Sequence, residues 1–242
     1  MATTAINKKR LLTRVLSSAK QATEAVEESQ PVLEQFVYGL CREDATPEQA
    51  DRAFLFLRES FFDWNEVRVS SSRELEEAFE GMSGAEGRAQ RLVAFLQEVF
   101  ETEFSFDLDV LHKRGLKQAS RQLLRYQAAD DFVGAWVVQR SLGGHAIPLD
   151  APTLRCVRRL GLLDNGTAET LEAVRGSLEH LIAKNDGPQF TDAMSCIAEE
   201  YCWEETPKCR SCPLSTDCQT ALEGGIEPQP AAAARTHRAK SR

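Results

Sequence analysis

Four cysteines crowd one short stretch near the end of the chain. Cys202, Cys209, Cys212 and Cys218 are spaced C-x6-C-x2-C-x5-C. Thiolates are soft donors, and four in one segment suit a metal centre that staples a stretch too short and polar to build its own core. Tetrahedral zinc is one candidate. Structural zinc sites are commonly built from two short C-x2-4-C knuckles, and here only Cys209 and Cys212 form one. The wider gaps, of six and five residues, fit a bulkier cube with a thiolate at each corner. Cys41, Cys156 and Cys196 remain. Each lies in an apolar stretch and reads as a small buried hydrophobe. An odd count of seven, four of them clustered, speaks for a reducing compartment rather than a disulfide framework. A cytoplasmic location is expected, at the nucleoid if the chain binds DNA.

The elements that must position these groups read as helices. The 242 residues are 42% hydrophobic, ordinary for a globular chain. No apolar run approaches a membrane span, and Met1 to Arg10 is polar and basic, unlike a secretory signal. Lys8, Lys9, Arg10 and Arg14 open a helical pattern towards Glu28 and read as a solvated face. Val32, Leu33, Phe36, Val37 and Leu40 repeat at helical spacing from Pro31 to Cys41. Thr46-Pro-Glu-Gln49 opens the next helix with a cap, a first-turn proline and a capping box, and Phe54, Leu55, Leu57 and Phe61 are expected to face inward. Ser71-x-x-Glu74 and Ser83-x-x-Glu86 mark two more starts, and Asp107 another, with Leu108, Leu111 and Leu116 on its apolar side. Asp150 precedes Ala-Pro and a helical pattern, which suits an N-cap. Thr167 is expected to cap the helix through Leu171, Val174, Leu178 and Leu181, and a last helix starts near Gln189. The chain is expected to be all-α. After Glu227 the tail holds four basic residues and no acidic one, and residues 224–242 read as a disordered basic tail.

The cysteine spacing, with Pro207 before the second cysteine and Pro213-Leu214 after the third, resembles the iron–sulfur loop of the endonuclease III family. These are DNA glycosylases of the helix–hairpin–helix (HhH-GPD) superfamily. A second stretch is similar too: Asp150, then Arg155, Arg159, Leu160 and Gly161, in the frame around that family's catalytic aspartate. The resemblance runs from about Arg10 to Cys218. It implies a two-lobed helical fold, with residues 1–30 and 131–223 forming a cluster-bearing lobe and 31–130 a central lobe. It implies a [4Fe–4S] cluster on the four cysteines, with zinc as the alternative. It implies Asp150 as the catalytic carboxylate, weak DNA contacts by Arg155, Arg159 and Lys208, duplex DNA as partner, and a monomer.

Several positions depart from the family. Members that also cut the backbone carry a nucleophilic lysine eighteen residues before the aspartate. That position is Phe132, and no lysine lies between Lys117 and Lys184. A lysine-dependent lyase is therefore not expected, whereas a monofunctional glycosylase needs only the aspartate and water. The family's hairpin, Leu-Pro-Gly-Val-Gly, lets backbone N–H groups approach a phosphate. Here it reads Tyr126-Gln-Ala-Ala-Asp130-Asp131. The cluster loop, Trp203-Glu-Glu-Thr-Pro-Lys208, has two acids against one base, and Arg42-Glu-Asp44 stands where the family fills the gap left by a flipped base. With a net charge of −8, duplex affinity is expected to be weak. Two alternatives follow: a catalytically silent relative that binds DNA or a protein, and a zinc-stapled structural helical protein.

Overall fold

A computed structural model describes residues 7–19, 30–163 and 170–226. The run towards Glu28, Thr167 and the tail beyond 226 lie outside the described residues. Among the described residues the chain is helical, with no strand. No described helix is long and apolar enough to cross a membrane.

The first core grows from α2 (Val32–Arg42), whose Val32, Leu33, Phe36, Val37 and Leu40 are all buried. α3 (Pro47–Ser60) starts as its sequence requires. The Thr46 hydroxyl accepts from the Gln49 N–H, and the Gln49 side chain answers on the Thr46 N–H. Phe54 and Leu57 turn inward. Leu55 does not, being 54% exposed, because α3 shows the core one stripe and Leu55 falls beside it. α4 (Trp64–Val69) and α5 (Ser72–Leu75) follow, the latter with the Ser71–Glu74 capping box. α6 (Ala85–Glu103) departs from expectation at its start. Ser83 does not cap it; Gly84 does, in the left-handed region at φ 66°, a conformation that glycine enters without a Cβ penalty. The helix expected from Asp107 is instead a short 3-10 turn, Asp109–Lys113, followed by α7 (Leu116–Leu123). Leu108 and Leu111 are buried as expected, but Gly115 restarts the chain and leaves Leu116 43% exposed.

Phe36 and Phe95 stack at the centre, with ring centroids 3.7 Å apart, and Tyr126 meets both rings edge-on. Truncating such a fully buried phenylalanine costs about 3–5 kcal/mol. Tyr126 belongs to the turn between α7 and α8 (Asp131–Arg140), so the hairpin is pinned from inside by its own aromatic ring. Gly134 on α8 allows the close return: a Cβ there would meet Leu124 Cδ2 at 2.7 Å.

The chain passes between its two cores along α8. Phe132, Val133, Trp136 and Val137 join the first core. Gln139 and Arg140, further along the same helix, bond Thr191 and Asp192 beside the second. That second core gathers Leu11 and Val15 of α1 (Lys8–Ala19) with α9 (Ala151–Leu160), α10 (Leu171–Leu181) and α11 (Gly187–Glu200). α10 is capped by Thr170, which accepts from the Ala173 N–H. A last short helix, α12 (Gln219–Glu223), follows Cys218.

Candidate active site and cysteine chamber

α9 begins at the boundary between the cores, and Asp150 is its cap. Asp150 Oδ1 accepts the Thr153 N–H at 2.9 Å, and Pro152 fits the first turn, where no N–H is required. The residue is 8% exposed. Among the described residues its second carboxylate oxygen makes no hydrogen bond. It lines a pocket of about 260 Å³ between the cores. One wall comes from Arg42, Asp44, Thr46 and Gln49, and the other from Asp150, Thr153, Arg155, Ser195 and Glu199.

Asp44 carries no sequence signal for the contact it makes. Its side chain crosses the pocket and accepts the Ala151 N–H of α9 at 3.0 Å. It does so from a left-handed backbone, φ 47°, which aspartate tolerates better than most residues. Opposite it, burial and the neighbouring Glu48 carboxylate push Glu199 up to about 7. Glu48 belongs to α3 and Glu199 to α11, so two carboxyl groups come together there. Among the described residues, no lysine lines the pocket. Phe132, at the position a nucleophilic lysine would occupy, is 4% exposed and stacks on Trp136 in the first core.

The hairpin acids are engaged internally. Asp130 Oδ1 caps α8 on the Val133 N–H, while Oδ2 pairs with Arg91 of α6. Arg91 also pairs with Glu43 at 2.6 Å and donates to the Ala128 carbonyl. Asp131 pairs with Arg175 of α10 at 3.2 Å. Two arginines thus stand behind the turn and balance its carboxylates.

The four clustered cysteines line one chamber at the C-terminal end of α9. A tight turn closes on Cys209 and Cys212, with the Cys212 N–H donating to the carbonyls of Lys208 and Cys209. The remaining lining includes Leu160, Ile197, Pro207 and Ala221. Backbone N–H groups point at the sulfurs, that of Leu214 at Cys212 and those of Thr220 and Ala221 at Cys218. Arg159 adds a guanidinium N–H, 3.7 Å from Cys202 Sγ. Burial pushes the Cys212 thiol up to about 11 and raises Cys218 as well, and these N–H groups work against it, as they would towards a metal-bound sulfur. Among the described residues, no three His, Cys, Asp or Glu side chains converge on a point where one metal ion would bind. The chamber also holds a fifth thiol, Cys156, expected to be a plain core residue.

Arg155, Arg159 and Lys208 sit around this loop. Arg155 Nε donates to the Cys202 carbonyl at 2.9 Å, and Arg159 to the carbonyls of Trp203 and Glu204 at 2.5 and 2.7 Å. Lys208 Nζ lies 3.8 Å above the Trp203 ring. From the far side, Arg14 of α1 binds Asp217, Thr216 and the Pro213 carbonyl, and Arg10 pairs with Asp217 at 3.1 Å. Arg10 and Arg14 are therefore not merely a solvated helix face; they clamp the loop.

No family model matches the chain. It is similar to DEMETER-like protein 3 of Arabidopsis thaliana, 24% identical over 173 residues, which is 64% of this chain and 16% of that protein. The chain thus spans about a sixth of that relative's length. Among solved structures, endonuclease III trapped as a covalent intermediate with DNA superposes with a TM-score of 0.68 at 16% identity, covering 91% of this chain and 100% of that one. A thermostable thymine-DNA glycosylase gives 0.64 at 14% identity, over 89% and 97% of the two chains. The chain has the helical fold of endonuclease III and other helix–hairpin–helix DNA glycosylases.

Proposed function

We propose that the chain is a monofunctional DNA glycosylase that removes a damaged base with Asp150 and water. The observation that carries this is a buried carboxylate, held by its own helix cap, with one oxygen left for a polar pocket between two helical cores. A base must leave the duplex to be reached, and a pocket of this kind can receive it. Breaking the N-glycosidic bond sends its electron pair to the base and leaves positive charge on the sugar. The Asp150 carboxylate opposes that charge, and it takes the proton of the water that attacks C1′. Phenylalanine at position 132, and a pocket without lysine among the described residues, support a mechanism without a Schiff base. Arg155 lines the pocket and offers a phosphate contact beside it.

Cys202, Cys209, Cys212 and Cys218 would hold a [4Fe–4S] cluster. Four thiols lining one chamber, with only Cys209 and Cys212 forming a short knuckle, support a cube over zinc. Once bound, the cluster would close the C-terminal segment structurally through four iron–thiolate bonds.

A second reading, a catalytically silent protein that binds DNA or a partner, draws on one feature. The hairpin presents two carboxylates where a phosphate would dock, even though Arg91 and Arg175 balance them. One comparison separates the two. Protein purified without oxygen is titrated against a duplex carrying a cationic abasic-site analogue and against the intact duplex. A glycosylase prefers the analogue at least about 100-fold, because it resembles the charged transition state. Asp150→Asn should erase that preference, along with release of base in a screen of damaged duplexes. Equal weak binding by both proteins would leave the silent reading standing.

A further inference from the structure

Five thiols face the cysteine chamber, one more than a four-cornered centre uses. The fifth, Cys156, comes from α9 and is fully buried. Cys202, the first cysteine of the loop, is the thiol beside it. Its neighbours on the helix hold that pair together. Arg155 bonds the Cys202 carbonyl, and Arg159 bonds the Cys202 sulfur and the Trp203 carbonyl. Cys41, by contrast, lies in the first core, far from any clustered cysteine in its packing. A core position needs only volume, which valine or alanine would supply. A thiol there also supplies a soft donor at the chamber wall.

We propose that Cys156 is a reserve ligand for the corner held by Cys202. This rests on the reading of the loop as a cluster site. The exchange needs no electron: Cys156 gives up its S–H proton as its sulfur binds iron, and the Cys202 sulfur takes up a proton as it leaves. When Cys202 is absent, the Cys156 proton goes to solvent. The exchange shifts one anchor from the loop to the helix that Asp150 caps. It is specific to the first corner, because Cys209, Cys212 and Cys218 have no spare thiol within the chamber besides Cys156, which sits against Cys202.

The test uses the whole chain, purified without oxygen, as wild type, Cys156→Ala, Cys202→Ala, Cys209→Ala and the double variant Cys156→Ala/Cys202→Ala. Iron, acid-labile sulfide and visible absorbance are measured on each. Wild type and Cys156→Ala should carry about four irons and four sulfides per chain. Cys202→Ala should keep at least about half of that content, while Cys209→Ala and the double variant lose it. Cys202→Ala that is as empty as Cys209→Ala, or insoluble where Cys156→Ala is soluble and full, overturns the reserve role and leaves the cluster reading intact. Wild type that carries zinc and no sulfide overturns both.

Discussion

Glu199 of α11 lines the pocket with Glu48 of α3 as its neighbouring carboxylate, and their chemistry ties the site to pH. Burial, with Glu48 next in strength, pushes Glu199 up to about 7, while the Arg42 guanidinium works in the opposite direction. An unfolded glutamate ionises near 4.5. Between those values the native state holds a proton that the unfolded state has lost, so stability falls as pH rises through that window and levels off above it. Glu199 is only half-buried, so solvent screening leaves about 1 kcal/mol of the effect. Glu199→Gln removes the titration. Its melting temperature relative to wild type should therefore rise by roughly 2–4 °C between pH 5 and pH 8. A constant difference across that range would show that the pair does not share a proton. The sequence announced Asp150, because an Asp before Ala-Pro and a helix is a local signal. It could not announce Glu199, Asp44 or Cys156 as site residues. Their roles come from contacts between segments more than forty positions apart, such as the bond from the Asp44 carboxylate to the Ala151 N–H.

At the level of elements, helix starts show what local chemistry can and cannot specify. Thr46 and Ser71 cap their helices because donor and acceptor lie three residues apart and need nothing else. Ser83 has the same pattern, yet Gly84 takes the left-handed turn and moves the start of α6. The hairpin is the element on which the two proposed readings differ. Asp130 does two things there, capping α8 and receiving Arg91, whose other N–H groups hold Glu43 and the Ala128 carbonyl. Asp130→Ala removes the cap and one of the two carboxylates that Arg91 pairs with. The cap alone is worth about 1 kcal/mol, with an upper range near 2. Urea unfolding should show a loss of about 1–3 kcal/mol, because partly buried charge-assisted bonds exceed neutral ones. Asp130→Asn keeps an acceptor for the Val133 N–H and should recover about half of that loss. If both variants unfold at the wild-type urea concentration, the cap does not support the hairpin.

Across the whole molecule, the proposed function asks an acidic chain to meet a polyanion. The net charge is −8, and many arginines are already engaged inside the protein. Arg14 clamps the loop, Arg91 and Arg175 balance the hairpin, Arg140 pairs with Asp192, and Arg159 holds the segment after Cys202. A guanidinium committed to a carbonyl or carboxylate neutralises fewer phosphates. Proteins with about six to ten phosphate contacts lose roughly 10³–10⁵-fold in affinity between 50 and 200 mM salt, because each contact releases a counterion. This chain should engage fewer than about four phosphates on an undamaged duplex, and its affinity should fall by less than about 100-fold over the same range. Fluorescence anisotropy of a labelled duplex at four or five salt concentrations gives the slope. A steep slope that persists after removal of residues 227–242 would mean that the arginines leave their internal partners to bind DNA. A steep slope lost with that segment would place the contacts on Arg235, Arg238, Lys240 and Arg242. A shallow slope in both proteins would fit recognition that depends on the pocket around Asp150, with selectivity resting on the extruded base more than on the backbone.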